Sequence, residues 1–224
     1  MLVAKRYRDA YIALICALFG YGNAKAIVTF LDRLDFALLD QNEEAIRYAL
    51  RGYYYRFQNS DDVAALFIAL RRLRRETKSL EAIVTQAYRK TGDIYDGLRA
   101  LIEAIYGAYD YRSDGYRFLV GKVPPDQKAR ASAYKRYMMF LRWMVRDDAL
   151  DMGLWQGIDK RDLVMPLDTH TAAVSRRLGL LRRKSNDYQA AVELTEALRR
   201  FDAHDPLKYD FVLYRIGQEK MTLD

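Results

Sequence analysis

The chain is poor in the residues from which most familiar active sites are built. Its 224 residues include one cysteine, two histidines, four prolines and two tryptophans. A single cysteine, Cys16, excludes an intrachain disulfide and any four-cysteine zinc or iron–sulfur site. His170 and His204 do not form an H-E-x-x-H pair, and no Ser/His/Asp set falls in a recognisable frame. Neither common Gly-rich phosphate loop is present. No apolar run approaches the roughly 18 residues that a membrane span needs. The apolar segment YIALICALFGYG is too short to span, and no small-residue cleavage pattern follows it. It reads as a buried helix rather than a signal peptide. The expectation is a cytoplasmic protein with no membrane association. Repeats, low-complexity tracts and long strand patterns are also lacking.

What is present is helical and basic. Hydrophobic residues make up 51% and charged residues 30%, an ordinary globular composition with enough length for a sizeable core. Proline is scarce, while alanine, leucine and arginine are common, so the fold class is all-α. The net charge of +7 and a pI near 9.3 suit a polyanionic partner.

Helix signals recur along the chain. Residues 1–20 read as one helix, broken at Gly20 and Gly22. Asn23 caps a second helix, and Asp40 or Asn42 a third running to Gly52. YYYRF is a helix end and turn packed by aromatics. Ser60 opens a helix with Asp61 and Asp62 in its first turn, where carboxylates complement the dipole. Arg71, Arg72, Arg74 and Arg75 load its far end and read as a solvated terminus. Ser79 starts one more, and Asp93 or a neighbour another. Residues 115–125 are the least regular, because Pro124-Pro125 cannot sit within a helix. Ser132 caps the helix that carries Lys135. Residues 147–163 form a loop with a turn, and Asp168 caps a helix ending at Gly179. Asn186 or Asp187 caps a helix with Leu194, Leu198 and Phe201 on one face. Asp205-Pro206 opens the last helix.

With the usual sites excluded, catalysis by lysine remains. An amine attacks an electrophilic carbon only when unprotonated, which requires a pKa brought down from about 10.4 by burial or nearby cations. Lys135, in the first turn of an apolar helix and followed by Arg136, has surroundings of that kind. Asp168 has the opposite setting. A carboxylate at a helix N-terminus stays ionised and can support a sugar that turns cationic as its glycosidic bond breaks.

PLDTHTAAVSRRLGLL resembles the V-D-T-H…R-x-x-x-R-L-G segment of the helix–hairpin–helix base-excision DNA glycosylases, such as the endonuclease III group. KRYMMFLRWM, placed 33 residues upstream, is similar to the lysine-bearing helix of the archaeal-type 8-oxoguanine DNA glycosylase branch. DPLKYDFVLYRIG resembles that branch's C-terminal helix. KRYMMFLRWMVR and PLDTH also resemble a bacterial family described as a domain of unknown function.

The glycosylase resemblance implies a two-lobed all-α fold with its active site in the cleft between lobes. One lobe would span approximately 21–145, with a hairpin-like segment at 115–140; the other would take 1–20 and 146–224. It implies Lys135 as nucleophile and Asp168 as catalytic carboxylate. Base-binding roles fall to Asp210, Tyr214, Met139, Trp143 and, from GYGN, Asn23. Trp143 also reads as core. Asp210 and Tyr214 are i and i+4, hence on one helix face. The hairpin's L-P-G-V-G is replaced by VGKVPPDQKARAS, so Lys122, Lys128 and Arg130 either grip a phosphate or form a solvated basic loop. Arg136 and Arg176 complete the expected DNA contacts. No metal or organic cofactor is implied. The expectation is a monomeric, nucleoid-associated glycosylase/AP lyase acting on double-stranded DNA with a damaged base, 8-oxoguanine. The alternatives are a non-catalytic helical nucleic-acid-binding protein and a glycosylase for another lesion.

Overall fold

The computed structural model describes residues 1–76 and 79–218. Among these it contains helices, turns and loops but no strand. None of the helices is long and apolar enough to cross a membrane. The chain divides into two compact units, Met1–Val123 and Pro124–Asp224. This division falls inside the segment 115–140, whereas the resemblance puts a lobe edge near 145. The expected span 146–224 also includes residues 219–224, which lie outside the described residues.

Among the described residues the first unit holds eight helices: α1 (Leu2–Tyr7), α2 (Ala10–Leu18), α3 (Ala24–Asp32), α4 (Glu43–Ala49), α5 (Ser60–Glu76), α6 (Leu80–Thr91), α7 (Ile94–Ala108) and α8 (Asp114–Val120). Its axis is α5, against which α2, α4, α7 and α8 pack. Residues Val63 to Leu70 of α5 are almost wholly buried, and each large apolar side chain among them contributes roughly 1.5–3 kcal/mol. Helix α2 is buried from Tyr11 to Leu18, as its all-apolar circumference requires.

Several boundaries differ from the sequence reading for local reasons. Residues 1–20 form two helices, because Arg8 adopts φ 48° and the Asp9 carboxylate accepts the amides of Tyr11 and Ile12, restarting the helix. Helix α5 does open at Ser60 as expected, and Asn59 caps it. Its side chain accepts the Asp62 amide while Asp62 accepts the Asn59 amide, a reciprocal capping box. Residues 114–120 are helical, with Ser113 accepting the Tyr116 amide. Gly115 is the residue that permits this: a Cβ there would collide with the Asp62 carboxylate and lie 2.7 Å from the Phe57 carbonyl. The arginines ending α5 are not simply solvated. Arg72 makes a two-pronged bond to Glu43, and Arg74 pairs with Asp9.

The second unit holds α9 (Lys135–Val145), α10 (Thr169–Arg177), α11 (Tyr188–Arg199) and α12 (Asp210–Gln218). Helix α9 is sheathed by the following loop, where the Met152 and Trp155 amides bond the carbonyls of Trp143 and Met144. Helices α10 and α12 pack closely at Gly217, where a Cβ would lie 3.0 Å from the His170 Cβ and carbonyl. Ser132 is not the cap of α9. That position is Tyr134, in the left-handed region at φ 46°. Asp205-Pro206 opens a 3₁₀ turn, Pro206–Tyr209, and places Asp210 at the true start of α12. Phe201 lies outside the buried stripe of α11, at 64% exposure.

Candidate active site in the second unit

Three helix starts carry the candidate residues. Lys135 is the first residue of α9, Asp168 is the N-cap of α10, and Asp210 opens α12. Lys135 Nζ donates to Asp168 Oδ2 at 2.8 Å, joining residues 33 apart in sequence. The other oxygen, Oδ1, accepts the Thr171 amide at 2.8 Å. The lysine side chain keeps 37% of its surface exposed and the aspartate 13%. A pair with so exposed an amine stabilises the fold by less than about 1 kcal/mol. Stability alone therefore gives little reason to aim this lysine at this cap.

Burial pushes the Asp168 carboxyl up, but the Lys135 charge, its hydrogen bond and the Thr171 amide outweigh burial. The net effect holds the carboxyl below the usual carboxylate range. Asp168 is thus ionised at neutral pH. The Tyr214 ring stands beside the pair: Lys135 Nζ lies 5.9 Å from its centroid, within cation–π range, and His170 meets the ring edge-on at 6.5 Å.

Beneath the pair runs a buried charge network that the sequence reading missed. Arg142 binds both Asp210 and Asp151; Arg146 binds Asp151, Asp148 and Asp205. Arg146 bonds Asp205 through both Nε and Nη2, at 2.8 and 3.0 Å. This ties α9 to the loop after it and to the entry of α12. Asp151 and Asp210 are pushed up, burial being the largest cause, against the arginine charges that pull them down. A signal existed in the sequence. Two arginines four apart inside MMFLRWMVR cannot be buried without partners.

The remaining expected residues fall as follows. Asp210 is 6% exposed with its carboxylate committed to Arg142, while Tyr214, one turn on, is only half-buried. Trp143 is core, and Met139 is half-buried. Arg130 is exposed, and Lys128 and Arg136 are half-buried. The Arg176 guanidinium bonds the Arg183 and Lys184 carbonyls and the Asn186 side chain, closing the loop after α10. Asn23 and Lys122 belong to the first unit, where Asn23 caps α3 and Lys122 is exposed. Also in that unit, burial pushes the Cys16 thiol up to about 12, so it is no nucleophile at neutral pH.

No curated protein and no solved structure matches the chain. One family does, over residues 1–219, under the description "Protein of unknown function (DUF2400)". That description carries no activity and no link to the glycosylases, and on a match of this extent the chain belongs to the DUF2400 family.

Proposed function

We propose that the protein is a bifunctional DNA glycosylase/AP lyase that excises an oxidised purine, 8-oxoguanine, through a lysine Schiff base. The observation that carries this reading is the 2.8 Å contact between Lys135 Nζ and Asp168 Oδ2. A solvent-reachable amine held by an ionised helix-cap carboxylate has the parts that nucleophilic glycosyl cleavage requires.

The lesion is everted so that its sugar C1′ meets the amine. Asp168 takes a proton from Lys135 as the nitrogen–C1′ bond forms. The C1′–base bond breaks, and the purine leaves with the bonding pair and the proton that Asp168 has collected. Before it takes that proton, the Asp168 carboxylate supports the positive charge that develops on the sugar as the C1′–base bond stretches. Opening of the sugar ring gives an imine between Lys135 and C1′. Loss of a C2′ proton then expels the 3′-phosphate and nicks the strand. Tyr214 supplies an aromatic face beside the reacting nitrogen for the everted base. Asp210 holds Arg142 in the resting state and must exchange it to accept from a base.

Borohydride trapping tests the proposal. Wild-type protein mixed with a duplex carrying 8-oxoguanine should give a covalent adduct, and Lys135→Gln should give none. Salt-sensitive DNA binding with neither adduct nor nick would instead mark a non-catalytic nucleic-acid-binding module. An adduct on duplexes with other damaged bases but not 8-oxoguanine would retain the chemistry and change the substrate.

A further inference from the structure

Two stretches of the second unit carry cations with no carboxylate among them. Residues 127–136 hold Lys128, Arg130, Lys135 and Arg136 and no aspartate or glutamate. Residues 169–186 hold Arg176, Arg177, Arg182, Arg183 and Lys184 and again no acid. The fold brings the two together. Ser132 forms an antiparallel bridge with Asp187, and the Tyr188 amide bonds the Ala131 carbonyl at 3.1 Å. The 3₁₀ turn Lys128–Arg130 also packs against α11, the helix that Asp187 caps.

The backbone of the loop after α10 is held in place while its outer cations are left to solvent. Arg176 donates to the Arg183 and Lys184 carbonyls at 2.9 and 2.8 Å. Arg183 grips Asp187 through two bonds of 2.7 Å, and the Arg182 amide bonds Glu193. Those two guanidiniums are occupied within the fold. Arg130, Arg182 and Lys184 are exposed and, among the described residues, none has a carboxylate partner. Other cations of this unit do pair: Arg146 with Asp205, Arg161 with Asp159, Lys208 with Asp202. A loop already held in shape loses little freedom when it binds.

Composition and position say what this face takes. A protein-binding face has an aromatic or aliphatic centre. Among the described residues of these two stretches, Leu178 is the one large apolar side chain that stands exposed. Ser132, Ser185 and Asn186, all exposed, accompany the three cations. Arginine, lysine, serine and asparagine are side chains that contact the phosphate oxygens of nucleic acids. Arg130 lies five residues before Lys135, so the chain between them spans at most about 18 Å. Phosphates of one strand recur about every 3.4 Å along a duplex axis, so roughly five fit in that span.

We infer that residues 182–184 and the turn Lys128–Arg130 form one phosphate-binding ridge, on which Arg130, Arg182 and Lys184 hold the backbone of duplex DNA beside Lys135. The inference deepens the function proposed above and rests on it for the choice of duplex DNA as the polyanion. The grip is electrostatic and independent of base sequence.

The test is fluorescence anisotropy of the full-length protein with a labelled, undamaged duplex at several salt concentrations. The logarithm of affinity should fall linearly with the logarithm of salt. Arg130→Gln, Arg182→Gln and Lys184→Gln should each reduce the slope by about one, and together by about three, whatever the duplex sequence. All of these variants should melt as wild type does, because none of the three side chains holds a carboxylate. Lys25→Gln combined with Arg51→Gln and Lys90→Gln removes the same charge from exposed positions of the first unit and should leave the slope unchanged. No salt-dependent binding by wild type, an unchanged slope in the triple ridge variant, or an equal drop in the first-unit control overturns the proposal. Polyglutamate bound as tightly as the duplex would overturn it too, since the face would then select no phosphate. The duplex carries no lesion and the assay needs no amine chemistry, so a missing borohydride adduct leaves this result standing. Unchanged slopes likewise leave an adduct standing.

Discussion

Arg142 and Asp210, 68 residues apart, form an ion pair with little exposure on either side chain. Through it, the lysine-bearing helix α9 is fastened to the first turn of α12, one turn before Tyr214. The same guanidinium reaches Asp151, so a single arginine holds two buried carboxylates.

Replacing Arg142 by methionine should therefore be costly. It leaves Asp151 and Asp210 buried with one fewer cation between them, and breaking such a pair costs about 3–5 kcal/mol. Chemical denaturation should show a loss of that order. Asp210→Asn should lose less, since an amide can still accept from Arg142 and Asp151 remains to balance its charge. Equal small losses in both variants would mean that the network contributes no specific anchoring.

Asp168 should leave a signature in the acid limb of stability. Its folded-state carboxyl lies below the ordinary 3.8, so the unfolded chain binds that proton more tightly. The stabilisation is present above about pH 4 and fades as pH falls through the lower folded value. Denaturation midpoints of wild type and Asp168→Asn should converge as the pH is lowered from 5 to about 2. In the proposed reaction the same variant should slow imine trapping about 10²–10⁴-fold, the usual worth of a positioned acid–base group. Parallel stability curves would show that the Lys135 contact does nothing for the carboxylate.

Gly115→Ala should destabilise the first unit. The added methyl would strike the Asp62 carboxylate, which is buried and held by Ser113 and Tyr111 in the middle of the capping box. A loss of about 2–3 kcal/mol is expected from overpacking, read as a fall in melting temperature. An unchanged melting curve would mean that the start of α8 moves freely.

Arg176 offers a choice between two roles. Its guanidinium holds the loop carbonyls of Arg183 and Lys184, so Arg176→Ala should lower stability by about 1–3 kcal/mol. If that is its whole role, the salt dependence of the proposed DNA binding stays as in wild type. A phosphate contact would instead reduce the logarithmic salt slope by about one.

Much of the local architecture was legible before folding. Asn23, Asn42, Ser79, Asp93, Asp168 and Asp187 all cap the helices expected of them, because a cap is a bond between a side chain and an amide two or three residues on. Errors arose where a distant contact decided. Ser132 has the right chemistry for a cap, yet it pairs with Asp187 while Tyr134 turns the chain into α9. Residues 114–120 looked irregular because two glycines and two prolines lie close by. Ser113 and the fit of Gly115 against Asp62 make them a helix.

The sequence by itself determined that this protein is all-helical, with Lys135 beginning one helix and Asp168 capping another. Those outcomes follow from side-chain periodicity and from hydrogen bonds spanning a few residues. Only the tertiary structure decided that Lys135 reaches Asp168 and that Asp210 faces Arg142. Each depends on residues from separate segments meeting in space, and burial sets its energy by removing the water that would otherwise satisfy them.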